Sequence, residues 1–159
     1  MLVIEADMTI FTLYIFDRNG NCLFHKDWCR QKVNTLTKDE ERKLLFGMIH
    51  SIKAFVDKMS PKDGQNGFHS YSTNEYKLHF YESPTGFKFI LTTDTRVGNI
   101  TETLKKIYSQ VYVKYVVRNP LCDLNMPISS SLFETKLESF INDLPFYEDV
   151  SSTNKEEYR

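Results

Sequence analysis

Cysteine is scarce in this chain: three residues in 159, at Cys22, Cys29 and Cys122. An odd, sparse set of this kind builds no disulfide framework and points to a reducing compartment. Glycine is also scarce, six in all and scattered. No Gly-x-x-x-x-Gly-Lys or Gly-x-Gly-x-x-Gly occurs, so no loop is encoded to cradle a nucleotide phosphate. A cationic surplus is missing as well: 20 Lys and Arg stand against 21 Asp and Glu, a net charge of -1. Generic nucleic-acid binding needs such a surplus to neutralise phosphates, and no nucleic-acid partner is expected. No apolar run approaches the roughly 20 residues that span a bilayer. Met1 to Met8 lacks the basic start of a signal peptide. The expected location is the cytosol.

What is present is the composition of one folded domain, 41% hydrophobic and 14% aromatic. At this length folding buries roughly 70% of the unfolded surface, enough for a core without staples. The β-branched and aromatic run from Thr9 to Phe16 predicts a strand. Asp17-Arg18-Asn19-Gly20 predicts a tight hairpin turn with positive φ at Asn19 and Gly20, leading to a second strand from Asn21 to Trp28. Thr37-Lys38-Asp39-Glu40 reads as a capping box opening a helix to Met59. Three strands follow, at 68–73, 76–82 and 87–94, the last two joined by Ser83-Pro84-Thr85-Gly86. Gly98-Asn99 opens a second helix to Arg118, and Ser131-Leu132-Phe133-Glu134 a third. The order is ββαβββαα, an α/β domain whose single sheet is covered by helices on both faces.

Chemistry is hard to find in the pattern. Cys22, His25 and Cys29 lie close in sequence, but no second pair completes a metal tetrahedron, and strand cysteines are expected instead. No local signature marks any cysteine as a nucleophile. His79, between Lys77 and Tyr81, is expected as a solvated or interface histidine. Asn99-Ile100-Thr101 matches a glycosylation acceptor, but Asn99 also stands where a helix needs its cap, and the cap is the expectation. No catalytic residue, metal ligand or cofactor site is expected.

The helices carry the stronger signal. In the first, Leu45, Met48, Ile49, Ile52, Val56 and Met59 form a stripe fit to cover a sheet. Gly47, Ser51 and Ala54 fall on the opposite side, flanked by Phe46 and His50. Glycine in an exposed helix interior costs about 1 kcal/mol relative to alanine. A line of small residues there lets another backbone come close. In the second helix Ile100, Leu104, Ile107, Val111 and Tyr115 make one face, and Tyr112, Val113, Val116 and Val117 carry the apolar surface nearly all round. A helix apolar on every side must be covered on every side. Phe46, Gly47, His50, Ser51 and Ala54, with Tyr112, Val113, Val116 and Val117, are therefore the candidate partner interface.

Several blocks have a familiar form. Thr12 to Gly20 with Cys22, Leu23 and Trp28, Lys43 to Ile52, Lys58 to Pro61, Tyr76 to Gly86, Ile107 to Ser109 with Tyr112 and Val113, and Val116 to Leu121 make up the pattern. Over about Met8 to Phe146 the chain resembles the small longin-type core subunits of the transport protein particle (TRAPP), the subunit-one type. The resemblance implies a longin, profilin-like fold. Its sheet is five-stranded and mainly antiparallel, with one helix on one face and two on the other.

The resemblance also implies a non-catalytic place in a multisubunit tether that catalyses GDP release from a Rab-type GTPase in ER-to-Golgi traffic. Its partners would be a synbindin-type longin subunit and a palmitoylated α/β core subunit. Membrane association would be peripheral, through the complex, at the cis-Golgi and the ER-Golgi interface. In related exchange factors the first longin helix is a platform for partner and GTPase. Residues 1–8 would then be an extension, 9–146 the longin-like domain and 147–159 a polar tail without structure of its own. The alternatives are a longin-domain SNARE, which needs a heptad segment and an anchor, a small coat-adaptor subunit on the same fold, and an enzyme with an unfamiliar site.

Overall fold

Strand β1, Ile10–Phe16, is apolar at nearly every position because both of its faces are buried. It lies between β2 and β5 in a five-stranded sheet of order β2-β1-β5-β4-β3. The computed structural model describes residues 10–28, 35–62 and 67–144. The expectations for the N-terminal extension, Cys29 and the tail concern residues outside these. The other strands are β2 (Cys22–Asp27), β3 (Ser70–Ser72), β4 (Lys77–Glu82) and β5 (Lys88–Thr93). Every pairing is antiparallel.

The β1–β2 turn differs from the expected two-residue hairpin. Only Gly20 has positive φ, +88°, and Asn19 does not. Asp17 takes over instead: its Oδ1 accepts from the backbone N–H of Asn19 at 2.8 Å and of Asn21 at 2.9 Å. A side chain that satisfies the turn's amides removes the need for a second left-handed residue. The register of the pair shifts between Ile15 and Phe16 to accommodate the longer turn.

Helix α1, Lys38–Met59, starts at the predicted capping box, with Glu40 N–H donating to Thr37 Oγ1 and Thr37 N–H to Glu40 Oε2. It leaves β2 at one edge of the sheet and delivers the chain to β3 at the other, so it crosses one whole face. Tyr14, Phe16, Leu78, Phe80 and Ile90 meet Ile49 beneath it.

The opposite face is covered by α2 (Thr101–Lys106), its continuation as a wider, π-type helix over Ile107–Val117, and α3 (Ser131–Asn142). Ile10, Leu13, Ile15, Phe89 and Leu91 pack against them. Two caps sit differently from expectation. The third helix is capped by Ser130, one residue before the predicted Ser131, its side chain accepting from Phe133 N–H. Asn99 does bind the start of α2, accepting from Thr101 N–H at 3.0 Å, but from one position before the cap, which is Ile100. The predicted layer arrangement, one helix against two, is the observed one.

Candidate partner interface

Along α1 the residues nearest the sheet centre on Ile49, which is buried, with Leu45, Ile52 and Val56 half-buried beside it. At about 100° per residue, Gly47 and Ser51 lie about 160° from Ile49. Gly47, His50, Ser51 and Ala54 are all exposed. A Cβ built on Gly47 meets nothing within 4 Å. Nothing in the chain's own packing therefore requires glycine there. Phe46 behaves differently: it is half-buried, its ring 5.7 Å from Phe16, and a Cβ on Gly20 would come within 2.8 Å of it. Phe46 thus anchors the helix to the β1–β2 turn, because it projects nearer the sheet than its small neighbours.

Three large apolar side chains flank this strip that the sequence pattern did not single out as exposed. Leu44 is 60%, Phe55 64% and Met59 68% exposed. Met59, expected to close the sheet-facing stripe, lies about 80° from Ile49 and turns away. The signal for Leu44 and Phe55 was available: both lie more than about 100° from Ile49 on the same projection.

On the second helix the expected interface is corrected at Tyr112 and Val116. Tyr112 is 0% and Val116 2% exposed, so both belong to the core and face no partner. Val113 is half-buried; Val117, at 42%, is exposed. The cause is the wider turn. Arg118 N–H bonds to Val113 C=O five residues back, and such i→i+5 bonding lengthens the helical repeat beyond 3.6 residues. Burial accordingly recurs at Ile107, Val111–Tyr112 and Val116, while Tyr115, assigned to the core face on a 3.6 repeat, is only half-buried. Tyr112 stacks among Phe87, Phe89 and Tyr108. Burial, with Tyr108 beside it, pushes its phenol up to about 12.

The family model for the Sybindin-like family matches residues 10–144. The chain belongs to that family. Among its relatives is the rat protein named trafficking protein particle complex subunit 1, 50% identical over 140 residues, which span 88% of this chain and 97% of the relative. The Dictyostelium discoideum protein of the same name is 39% identical over 140 residues, 87% and 98% of the two chains. A third relative, trafficking protein particle complex subunit 4 of Pongo abelii, is 37% identical over 98 residues, 62% of this chain and 44% of that one. The resemblance read from the sequence blocks is borne out.

In this Sybindin-like chain His79 and Cys22 have structural surroundings. His79 is buried, not solvated, and its Nε2 lies 2.8 Å from Thr93 Oγ1. Its strand partner across the ladder is Leu91, so the alternation of β4 places it under the α2 layer. Burial, and secondarily the Lys77 ammonium, lower its pKa to about 4. Burial likewise raises the Cys22 thiol, away from the thiolate a nucleophile requires. Among the described residues no three His, Cys, Asp or Glu side chains gather to hold a metal ion. No described helix is long and apolar enough to cross a membrane.

Proposed function

We propose that this chain is a non-catalytic core subunit of a trafficking protein particle, and that the exposed face of α1 seats a second longin-type subunit. The observation that carries the reading is the pairing of two features on one helix face. Leu44, Phe55 and Met59 are large, apolar and left wet, and they border Gly47 and Ser51, where the backbone can be approached closely. Exposed apolar side chains grouped on one element mark interaction surfaces. Glycine at an open helical position lowers the stability of the isolated chain by about 1 kcal/mol, a cost that contact with a neighbour can offset. The relative named as subunit 4 of the same particle supports a partner of related fold.

On this reading the assembled surface of several subunits promotes GDP release from a Rab-type GTPase in ER-to-Golgi transport. This chain supplies contacts rather than reacting groups. It meets membranes peripherally, through the complex, at the cis-Golgi. A palmitoylated α/β core subunit is the further expected neighbour.

The test is co-purification of tagged chain with its companion subunits, wild type against Gly47→Arg and Phe55→Asp. Both substitutions face open space, so the isolated variants should melt within a few degrees of wild type. The expected result is loss of the longin-type companion, with slower GDP release by the recovered particle. If both variants retain stoichiometric companions and full exchange activity, the proposal fails.

A further inference from the structure

On the other side of the sheet, the wide helix and α3 leave a cleft of about 420 Å³ between them. Val111, Tyr115 and Phe140 give it an apolar floor, and Lys114, Arg118 and Lys136 stand round it. No Asp or Glu is among its lining residues. The ammonium of Lys114 lies 5.4 Å and that of Lys136 5.9 Å from the centre of the Tyr115 ring. Two cations therefore converge on one ring from two different helices. Among the described residues, neither lysine nor Arg118 has a carboxylate partner. Elsewhere, Lys105 pairs with Glu102 at 2.9 Å and Arg96 with Asp94 at 3.0 Å. Three uncompensated cations in one cleft run against a net charge of -1 for the chain.

We infer that this cleft is a docking site for a short acidic segment of a partner protein, carboxylates on Lys114, Arg118 and Lys136 and an apolar side chain on Tyr115 and Phe140. Charge complementarity selects an anionic occupant, and the mixed lining selects a peptide among anions. A compact phosphate is best held by free backbone N–H groups at a helix N-terminus. Here the nearest helix end is the C-terminal one, at Val117, where the dipole repels concentrated negative charge. Carboxylates spread along a chain avoid that pole and reach separate cations. The aromatic floor would have no role for a free anion; it contributes when an apolar side chain is buried with it. Flanking ammonium groups leave Tyr115 as a ring whose face is shared with cations, a contact that strengthens when desolvated by a bound chain. The site lies on the opposite face of the sheet from α1 and does not depend on the reading given to that helix.

The experiment uses the full chain and a fluorescein-labelled synthetic peptide with two glutamates on each side of a phenylalanine, followed by fluorescence anisotropy. Saturable binding that weakens with added salt is expected. The Lys114→Glu, Lys136→Glu double variant should lose at least about tenfold in affinity, equivalent to about 1.4 kcal/mol. Phe55→Asp on α1 should bind as wild type, which separates this site from the other face. Because a double reversal can disturb folding, wild type is also treated with a carbodiimide in the presence of peptide. Amide links from Lys114 or Lys136 to the peptide's glutamates are the expected products. Unchanged binding by the double variant, equal competition by inorganic phosphate, or preferential binding to phosphatidylserine vesicles would each overturn the inference. So would carbodiimide links from these lysines to the chain's own Glu148 or Asp149 in place of the peptide.

Discussion

The two faces of the sheet are covered by unequal means. Over β1, β5 and β4 on one side lies α1 alone, with Ile49 its only fully buried residue. On the other side Leu104, Ile107, Val111, Tyr112, Val116, Phe133, Leu137 and Ile141 all drop to 5% exposure or less. A helix of 22 residues that buries one side chain completely is held by its rim: Tyr14 Oη donates to Glu41 Oε1 at 2.8 Å, and Lys53 pairs with Glu82. Cohesion is therefore concentrated under α2 and α3, while α1 keeps much of its apolar surface outward. Stability and recognition are divided between the faces.

The division can be broken by substitution. Phe133→Ala on α3 removes a ring that is fully buried and packs edge-on to Phe24 at 5.1 Å. A loss of about 3 to 5 kcal/mol is expected, read from denaturant midpoints at constant m-value. The next effect belongs to the same face and is driven by acid. The unfolded chain protonates His79 near 6.5, whereas in the folded chain burial, then Lys77, lowers that pKa to about 4. Stability is thus complete above pH 6.5 and falls as pH drops through the window to 4. This group accounts for up to about 3 kcal/mol of that fall. A His79→Gln variant measured across that window should show a flatter acid limb than wild type.

On α1 the expected effects are smaller and one changes sign. Gly47→Ala should stabilise the isolated chain by up to about 1 kcal/mol, because the added Cβ meets no neighbour and the helix gains propensity. A destabilised alanine variant would contradict the open space around this position. Phe55→Ser should change stability least of all, by about 0.5 kcal/mol or less in thermal unfolding. A large loss would mean that this ring is part of the core after all.

The sheet was legible in the sequence because its strands are short β-branched and aromatic runs bounded by turn residues. The capping box at Thr37 was legible because it is a four-residue event. What escaped was non-local or depended on backbone geometry. Tyr112 and Val116 were assigned to a partner because a 3.6-residue repeat leaves them off the core face; the i→i+5 bonding that turns them inward has no marker in the residue types. Lys77 and Tyr81 flank His79 and suggest a solvated or interface histidine, yet α2 covers that strand and Lys77 escapes by donating from Nζ to Val97 C=O at 3.1 Å. The exposed strip at Gly47, Ser51 and Ala54 was read correctly as lying away from the sheet. Its apolar flank at Leu44 and Phe55 has no small-residue marker and shows only in the helical projection, more than about 100° from Ile49. The cleft at Lys114 and Lys136 joins two helices distant in sequence, and no linear motif announces it.

The position of β5 beside β1 has a consequence for synthesis. The sheet closes only when Thr93 has emerged, by which point α1 can already shield one side. The other side waits for α2 and α3, ending at Asn142, some 49 residues later. At ribosomal rates of about 5–20 residues per second that interval lasts about 2 to 10 s. Until those helices have emerged in turn, the side of the sheet that carries Ile10, Leu13, Ile15, Phe89 and Leu91 lacks its cover. These are the residues on which a chaperone at the exit tunnel would find its footing.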